Sequence, residues 1–191
     1  MTTDNSTCNT TAGIPPFDPN LRRGPLYRAI QAFTRTGTGR SMAINFAARV
    51  DPVLLKYSHG RLGVGVVMPT ARLTSTGAKS GIKRSAAILY FTDHCGGGGA
   101  ADVILVASNF GRERHPSWYY NLRAHPAAEL ERGGVKARYI ATLVENDAEH
   151  DRLFALANKI YSGYDDYKTR TDAVGRAIPI FRLRLDTPAN G

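Results

Sequence analysis

The chain has 191 residues, a formal net charge of +9, and 42% apolar and 21% charged residues. That length suits one domain with a sizeable core, and the proportions are those of a globular protein. No uninterrupted apolar run of about 18 residues occurs, which excludes a transmembrane helix.

Residues 1–20 are polar, rich in Thr, Asn and Pro, and lack the basic-then-apolar order of a signal peptide. They are expected to form a disordered tail on a cytoplasmic protein. The charge is uneven. Residues 22–84 hold twelve Lys or Arg and one acid, Asp51. Such a front end suits an anionic cofactor, an acidic membrane surface or nucleic acid.

Residues 21–68 read as a helical extension. Leu26, Ile30 and Phe33 form an apolar stripe among Arg22, Arg23, Arg28 and Arg35, until Gly37 and Gly39 break it. Residues 43–48 read as a second helix, stopped or kinked at Asp51-Pro52. This basic amphipathic front either lies on a membrane at its inner face or caps the remaining domain. The early break favours capping. Residues 63–68 alternate Gly with Val and suit the lining of a ligand entrance.

The domain proper is expected over 69–191. Residues 72–75 and 85–93 read as strands flanking a turn of small, hydroxyl and basic residues. Gly77 and Gly81 permit a tight turn and close approach of a ligand. Hydroxyls and free amides can donate to phosphate or carboxylate oxygens, and Lys79, Lys83 and Arg84 add charge. The order is not that of a Walker loop, because Lys79 precedes Gly81. The turn reads either as an anion cradle or as an ordinary basic hairpin. Four glycines at 96–99 read as a hairpin connection.

Residues 102–108 read as the next strand, ending in Ser108-Asn109-Phe110-Gly111. His115-Pro116 then opens a helix over 116–124. A helix start has unsatisfied N–H groups and attracts anions, and Trp118, Tyr119 and Tyr120 would set flat aromatic surface beside it. Residues 128–131 and 135–144 read as a hairpin about Gly133-Gly134, with Ala137, Tyr139, Ala141 and Leu143 on one face. Residues 147–160 give the clearest helix, with Asp147 as cap, acids in the first turn and a stripe of Leu153, Leu156, Ala157 and Ile160. Gly163 argues against continuing that helix through Tyr161, Tyr164 and Tyr167. Residues 178–185 read as the last strand. Hairpin-linked strands outnumber helices, so a small antiparallel barrel with appended helices is expected.

The chemistry is sparse in acid–base groups. Cys8 and Cys95 have no Cys or His at ligand spacing, so no metal and no disulfide are expected. The five histidines, at 59, 94, 115, 125 and 150, read as surface or capping residues. Asp165 and Asp166 are adjacent and point apart. A chain poor in acid–base groups and rich in aromatic and anion-binding ones suits a reaction carried by a cofactor.

Taken in order, Thr76-Gly77-Ala78-Lys79-Ser80-Gly81 with Arg84, Ala107-Ser108 with Gly111, Pro116 with Trp118-Tyr119 and Asn121-Leu122, Tyr161 to Tyr167, and Ile178-Pro179-Ile180 resemble the deazaflavin-dependent nitroreductase family. Its members include F420H2-dependent quinone and nitro reductases, and the likeness runs over residues 73–183. It implies a mainly β fold with appended helices (α+β), a split β-barrel of the FMN-binding type. It implies the cofactor F420, a deazaflavin with a phosphate and an anionic polyglutamate tail, and hydride transfer to a small apolar acceptor such as a quinone or nitroaromatic.

By the same likeness, Ala78, Lys79, Ser80 and Arg84 hold the phosphate and tail. Ser85, Ala86, Ala87 and Ile88 run along the cofactor. Ala107, Ser108 and Asn109 meet the ring or ribityl chain, and Ser117, Trp118, Tyr119, Tyr120 and Asn121 wall the ring. Tyr161, Tyr164 and Tyr167 form the substrate wall, with Tyr164 also near the cofactor; packing on a barrel end is the other reading of these tyrosines. No essential proton donor is assigned. Asn109 and Phe110 depart from the family's usual Lys or Gly pair, which weakens direct contact there. An FMN- or haem-binding split barrel would keep the fold and change the cofactor, and an F420 carrier would bind without turnover. A nucleic-acid binder would explain the charge, but neither a helix-turn-helix nor an RNP strand pair is present.

Overall fold

Among the described residues, seven strands and three α-helices are built from the alternations and turns above. A computed structural model describes residues 13–18, 69–93, 101–161 and 163–186. The helical extension, the Gly-Val segment, the glycine run at 96–99, Cys8, Cys95, His59, His94, Ser162 and the basic helices considered for membrane contact lie outside the described residues.

The strands are β1 (Thr70–Thr76), β2 (Lys83–Leu89), β3 (Phe91–Asp93), β4 (Asp102–Val106), β5 (Ala127–Arg132), β6 (Val135–Leu143) and β7 (Ile180–Leu185). The helices are α1 (Ser117–Ala124), α2 (Asp147–Ile160) and α3 (Gly163–Asp172). All pairings are antiparallel, in the order β2-β1-β5-β6-β7-β4-β3.

The two ends of that order are consecutive in sequence. Residues 83–93, expected as one strand from 85, form two. The chain pairs with β1 as far as Leu89 and with β4 from Phe91. Between them Tyr90 leaves the ladder and gives its N–H to the carbonyl of Pro69 at 2.9 Å. One run thus bridges both margins of a curled sheet, the half-barrel of a split β-barrel fold. Tyr90 is 1% exposed, and its hydroxyl donates to the Pro15 carbonyl at 2.6 Å.

Inside the curl, Leu73, Leu105, Leu130, Tyr139, Phe181 and Leu183 form one core. Outside it, α2 and α3 cover Phe91, Ile104, Val106 and Ile180 with Leu153, Phe154, Ala157, Ile160, Tyr164 and Tyr167. Full burial of a side chain such as Leu73 contributes about 1.5–3 kcal/mol. The β6 alternation holds, with Ala137, Tyr139 and Ala141 buried and Lys136, Arg138 and Ile140 exposed. Gly133 and Gly134 take φ of 58° and 84°, which a two-residue hairpin of the favoured twist requires.

Other boundaries shift. β4 stops at Val106 and β7 starts at Ile180. Pro116 is the extended residue before α1 rather than its first helical one. Asn146, not Asp147, caps α2, its Oδ1 accepting from Glu149 N at 2.9 Å. Phe154 joins the buried stripe, while Leu156 is only partly buried, because the sheet wraps beneath the helix. A Cβ at Gly163 would collide with the Tyr161 ring, so glycine suits the start of α3 there.

The amino-terminal expectation also changes. Residues 13–18 are a strap on the barrel, not tail. Ile14 is 3% exposed and gives its N–H to the Tyr139 hydroxyl at 2.9 Å. Phe17 and Thr92 bond reciprocally, at 3.0 and 2.9 Å.

An ion network docks α2. Arg182 reaches Asp93, Asp102 and Glu149, and Arg152 grips Asp93 with bonds of 2.6 and 3.1 Å. The Arg152 guanidinium, with Arg182 behind it, holds the carboxyls of Asp93 and Glu149 below their usual range. Among the described residues no helix is long and apolar enough to cross a membrane.

Candidate functional site

The turn between β1 and β2 closes through Gly77 N to Ile82 O and Gly81 N to Gly77 O, both 2.9 Å. Gly81 has φ of +67°, and a Cβ on Gly77 would meet Ser80 Oγ at 2.6 Å. The turn is pinned from outside. Asn121 on α1, 8% exposed, accepts from Ala78 N at 3.0 Å and donates to Ser75 Oγ at 3.1 Å. With Ala78 N so committed, the amides of Lys79 and Ser80 have no protein acceptor among the described residues.

Lys79, Ser80, Lys83 and Arg84 are exposed, and none of the three cations has an acidic partner among the described residues. Opposed charges are paired on the neighbouring strands, as in Arg72 with Glu131 and Lys136 with Glu129. Among the described residues, the cradle is therefore an uncompensated positive patch with two free amides on a pinned loop. That combination favours an anion.

Strand register divides the residues expected along the cofactor. Arg84, Ala86 and Ile88 stand opposite Ser75, Leu73 and Ala71, whose side is buried. Ser85 and Ala87 take the opposite face, where Ser85 Oγ lies 3.0 Å from Thr74 Oγ1. Ile88 is packed into the core. The four residues thus share a strand edge, not a face.

The second part of the site follows β4. Ala107 is fully buried, its N–H bonded to Pro179 O at 2.8 Å. A 3-10 turn spans Asn109–Gly111, with Asn109 and Phe110 at φ of 48° and 57°. Two non-glycine residues in the left-handed region cost roughly 1–3 kcal/mol each. The Asn109 amide serves its own loop, donating to Arg114 O at 2.7 Å. Phe110 meets Tyr167 edge-on at 6.3 Å. On α1, Ser117 and Tyr120 are exposed, Trp118 is half-buried against Phe181 at 6.2 Å, and Tyr119 is buried 4.3 Å from the His115 ring.

His115 is not a plain surface histidine. Its Nδ1 lies 2.9 Å from an Arg176 terminal nitrogen, and burial followed by the Arg176 charge pulls its pKa down. Arg176 also donates to Ser108 O at 2.8 Å and to Ala107 O at 3.4 Å. Sequence reasoning missed Arg176. Its one signal was a place two residues before Ile178-Pro179.

The three tyrosines gather on the outer core. Tyr164 and Tyr167 are 6% and 3% exposed, and Tyr161 is half-buried. The Tyr161 and Tyr167 hydroxyls are 3.0 Å apart. Burial pushes the Tyr164 hydroxyl pKa up, with the Tyr161 ring adding to it. Tyr164 lines a small apolar hollow with Leu89, Phe91, Ile104, Val106 and Ile160, which shares no residue with the cradle. The structure thus joins the tyrosines to the 107–111 loop through Phe110, and the cradle to α1 through Asn121.

The chain is similar to known proteins. The sequence model of the family described as F420H(2)-dependent quinone reductase matches residues 47–184. An F420H(2)-dependent quinone reductase of Mycobacterium tuberculosis is 31% identical over 139 residues, covering 71% of this chain and 87% of the relative. A second one from that organism, carrying the same activity as a putative name, is 32% identical over 126 residues, covering 65% and 98%. The solved structure of an F420-H2 dependent reductase superimposes with a TM-score of 0.50 at 33% identity, covering 61% of this chain and 94% of that one.

Proposed function

This chain belongs to the F420H(2)-dependent quinone reductase family, and we propose that the β1–β2 turn is where it grips the anionic part of F420. It is an F420H2-dependent oxidoreductase. When bound, the reduced deazaflavin supplies a hydride to an electron-poor acceptor.

The observation that carries the site assignment is the pinned turn. Among the described residues, the amides of Lys79 and Ser80 are unspent, and Lys79, Lys83 and Arg84 carry unpaired charge beside them. The donors fit a phosphate and a row of carboxylates, and Arg84 can hold one bidentately. Asn121 keeps the amides aimed. The Ser108 hydroxyl, with Ser117, Trp118 and Tyr120 on α1, offers the ring a polar edge and an aromatic wall. Tyr161, Tyr164 and Tyr167 are the acceptor's wall in this reading, with quinones and nitroaromatics as its class. Their hydroxyls orient an acceptor oxygen. Burial raises the Tyr164 hydroxyl pKa, which disfavours a role as base.

The basic run at 22–84 favours either the cofactor tail or an anionic membrane face. Sedimentation with acidic vesicles, at low and high salt, separates the two.

The test is fluorescence titration of the full chain with F420 and, separately, with FMN, followed by oxidation of F420H2 by menadione. Tight F420 binding and steady turnover support the reading. Preferred binding of FMN would replace the cofactor, and F420 binding without turnover would make the protein a carrier.

A further inference from the structure

Arg176 lies outside every motif in the chain, yet its guanidinium reaches Ala107, Ser108 and His115 of the loop after β4. Its backbone is fixed first. α3 ends in a left-handed turn: Gly175 has φ of +67°, Gly175 N bonds Asp172 O at 3.0 Å and Arg176 N bonds Thr171 O at 2.8 Å. That six-to-one closure is the usual glycine cap of a helix end. It throws the Arg176 side chain back toward residues 107–115, where it is 8% exposed.

The guanidinium there meets no carboxylate among the described residues. It meets the carbonyls of Ala107 and Ser108 and the Nδ1 of His115, while its Nε has no partner. A buried cation without a counter-charge is expensive, and its pKa is pulled down by burial. A residue needed only to fill space there would be apolar. What the guanidinium does instead is tie three points of one loop with one rigid fork, which a lysine ammonium cannot reproduce. The loop it ties contains the left-handed Asn109 and Phe110. The same loop is packed on α3 at a second place, where Gly111 sits so close that a Cβ would be 3.2 Å from Tyr167 Cα.

We infer that Arg176 is a positioning residue, which locks the 107–115 loop to the end of α3 so that the cofactor-ring loop and the tyrosine wall form one body. This deepens the proposed function and rests on its placing of the ring beside residues 107–109.

Three variants of the full chain test it: R176M, R176K and, as a surface control, R184M. Each is measured by F420 fluorescence titration, by KM and kcat with menadione, and by trypsin cleavage at Arg112 and Arg114, which are exposed in the loop. R176M is expected to weaken F420 binding at least tenfold, to raise both KM values more than it lowers kcat, and to speed loop cleavage about tenfold. R176K keeps the cation but gathers its donors on a single nitrogen, and should recover part of each effect. R184M should match the parent protein. A folded R176M with F420 affinity and cleavage rate within twofold of the parent would overturn the inference. Where R176M does not fold, parent-like affinity and cleavage in R176K would do the same. Failure of the parent chain to bind F420 would instead strike the proposed function, a result that needs no variant to see.

Discussion

Asn121→Ala removes the side chain that, among the described residues, ties the cradle turn to α1. Two hydrogen bonds vanish, to Ala78 N at 3.0 Å and Ser75 Oγ at 3.1 Å. Each contributes about 1 kcal/mol net, so folding loses about 2 kcal/mol. For a chain of this size that lowers Tm by about 4–8 °C. The binding effect has the same source. The turn must be reordered when the anion arrives, and if 1–2 kcal/mol of that ordering was supplied by Asn121, F420 affinity falls about 5- to 30-fold. Asn121→Asp separates geometry from charge. It keeps an acceptor for Ala78 N and adds a negative charge beside the cradle, so it should hold the fold better than the alanine variant and still bind F420 poorly. Differential scanning calorimetry gives Tm, and fluorescence titration gives Kd. An alanine variant whose Tm drops as stated while its Kd stays within twofold would refute the reasoning, because the turn would then bind nothing that depends on its shape.

Replacing Lys79 and Arg84 together by alanine should weaken F420 by two orders of magnitude or more at low salt, with little change in Tm, because both are exposed and have no ion-pair partner among the described residues; the parent's affinity should fall as salt rises. Tyr167→Phe loses the 3.0 Å contact with the Tyr161 hydroxyl. It should lower stability by about 1 kcal/mol and change kcat with menadione only a few-fold, since the proposed function gives these tyrosines an orienting role and assigns none of them as an essential proton donor; a loss of a hundredfold or more would contradict that. Asp93 and Glu149 have carboxyls held below their usual range by Arg152. Their contribution is therefore present above the unfolded carboxylate range near pH 4 and lost as pH falls through the lowered folded values. Chemical denaturation from pH 7 to pH 2 should show that decline, and Arg152→Met should flatten it.

What sequence could show followed the range of each interaction. The β6 alternation and the α2 helix are local, and both stood in the pattern of residues. The cap of α2 moved by one residue, to Asn146, since Asn and Asp compete equally well for that position. The break at Tyr90 was invisible, because it arises where a strand changes partners from β1 to β4, a fact about the far side of the sheet. The strap at 13–18 hid in a polar segment whose one buried anchor, Ile14, carries no periodicity. In the site, motif order named Asn121 and the cradle, but not that Asn121 works by holding the turn. Arg176 acts on carbonyls 68 and 69 positions away. No window along the chain could join them.

The central claim is that the pinned turn at 77–84 recognises the anionic part of F420. The most direct measurement is the F420 titration of the parent chain beside the Lys79/Arg84 double alanine variant and Trp118→Ala. Tight binding by the parent, near-complete loss in the double variant and a smaller loss in the tryptophan variant are predicted. Undiminished F420 affinity in the double variant would contradict the account.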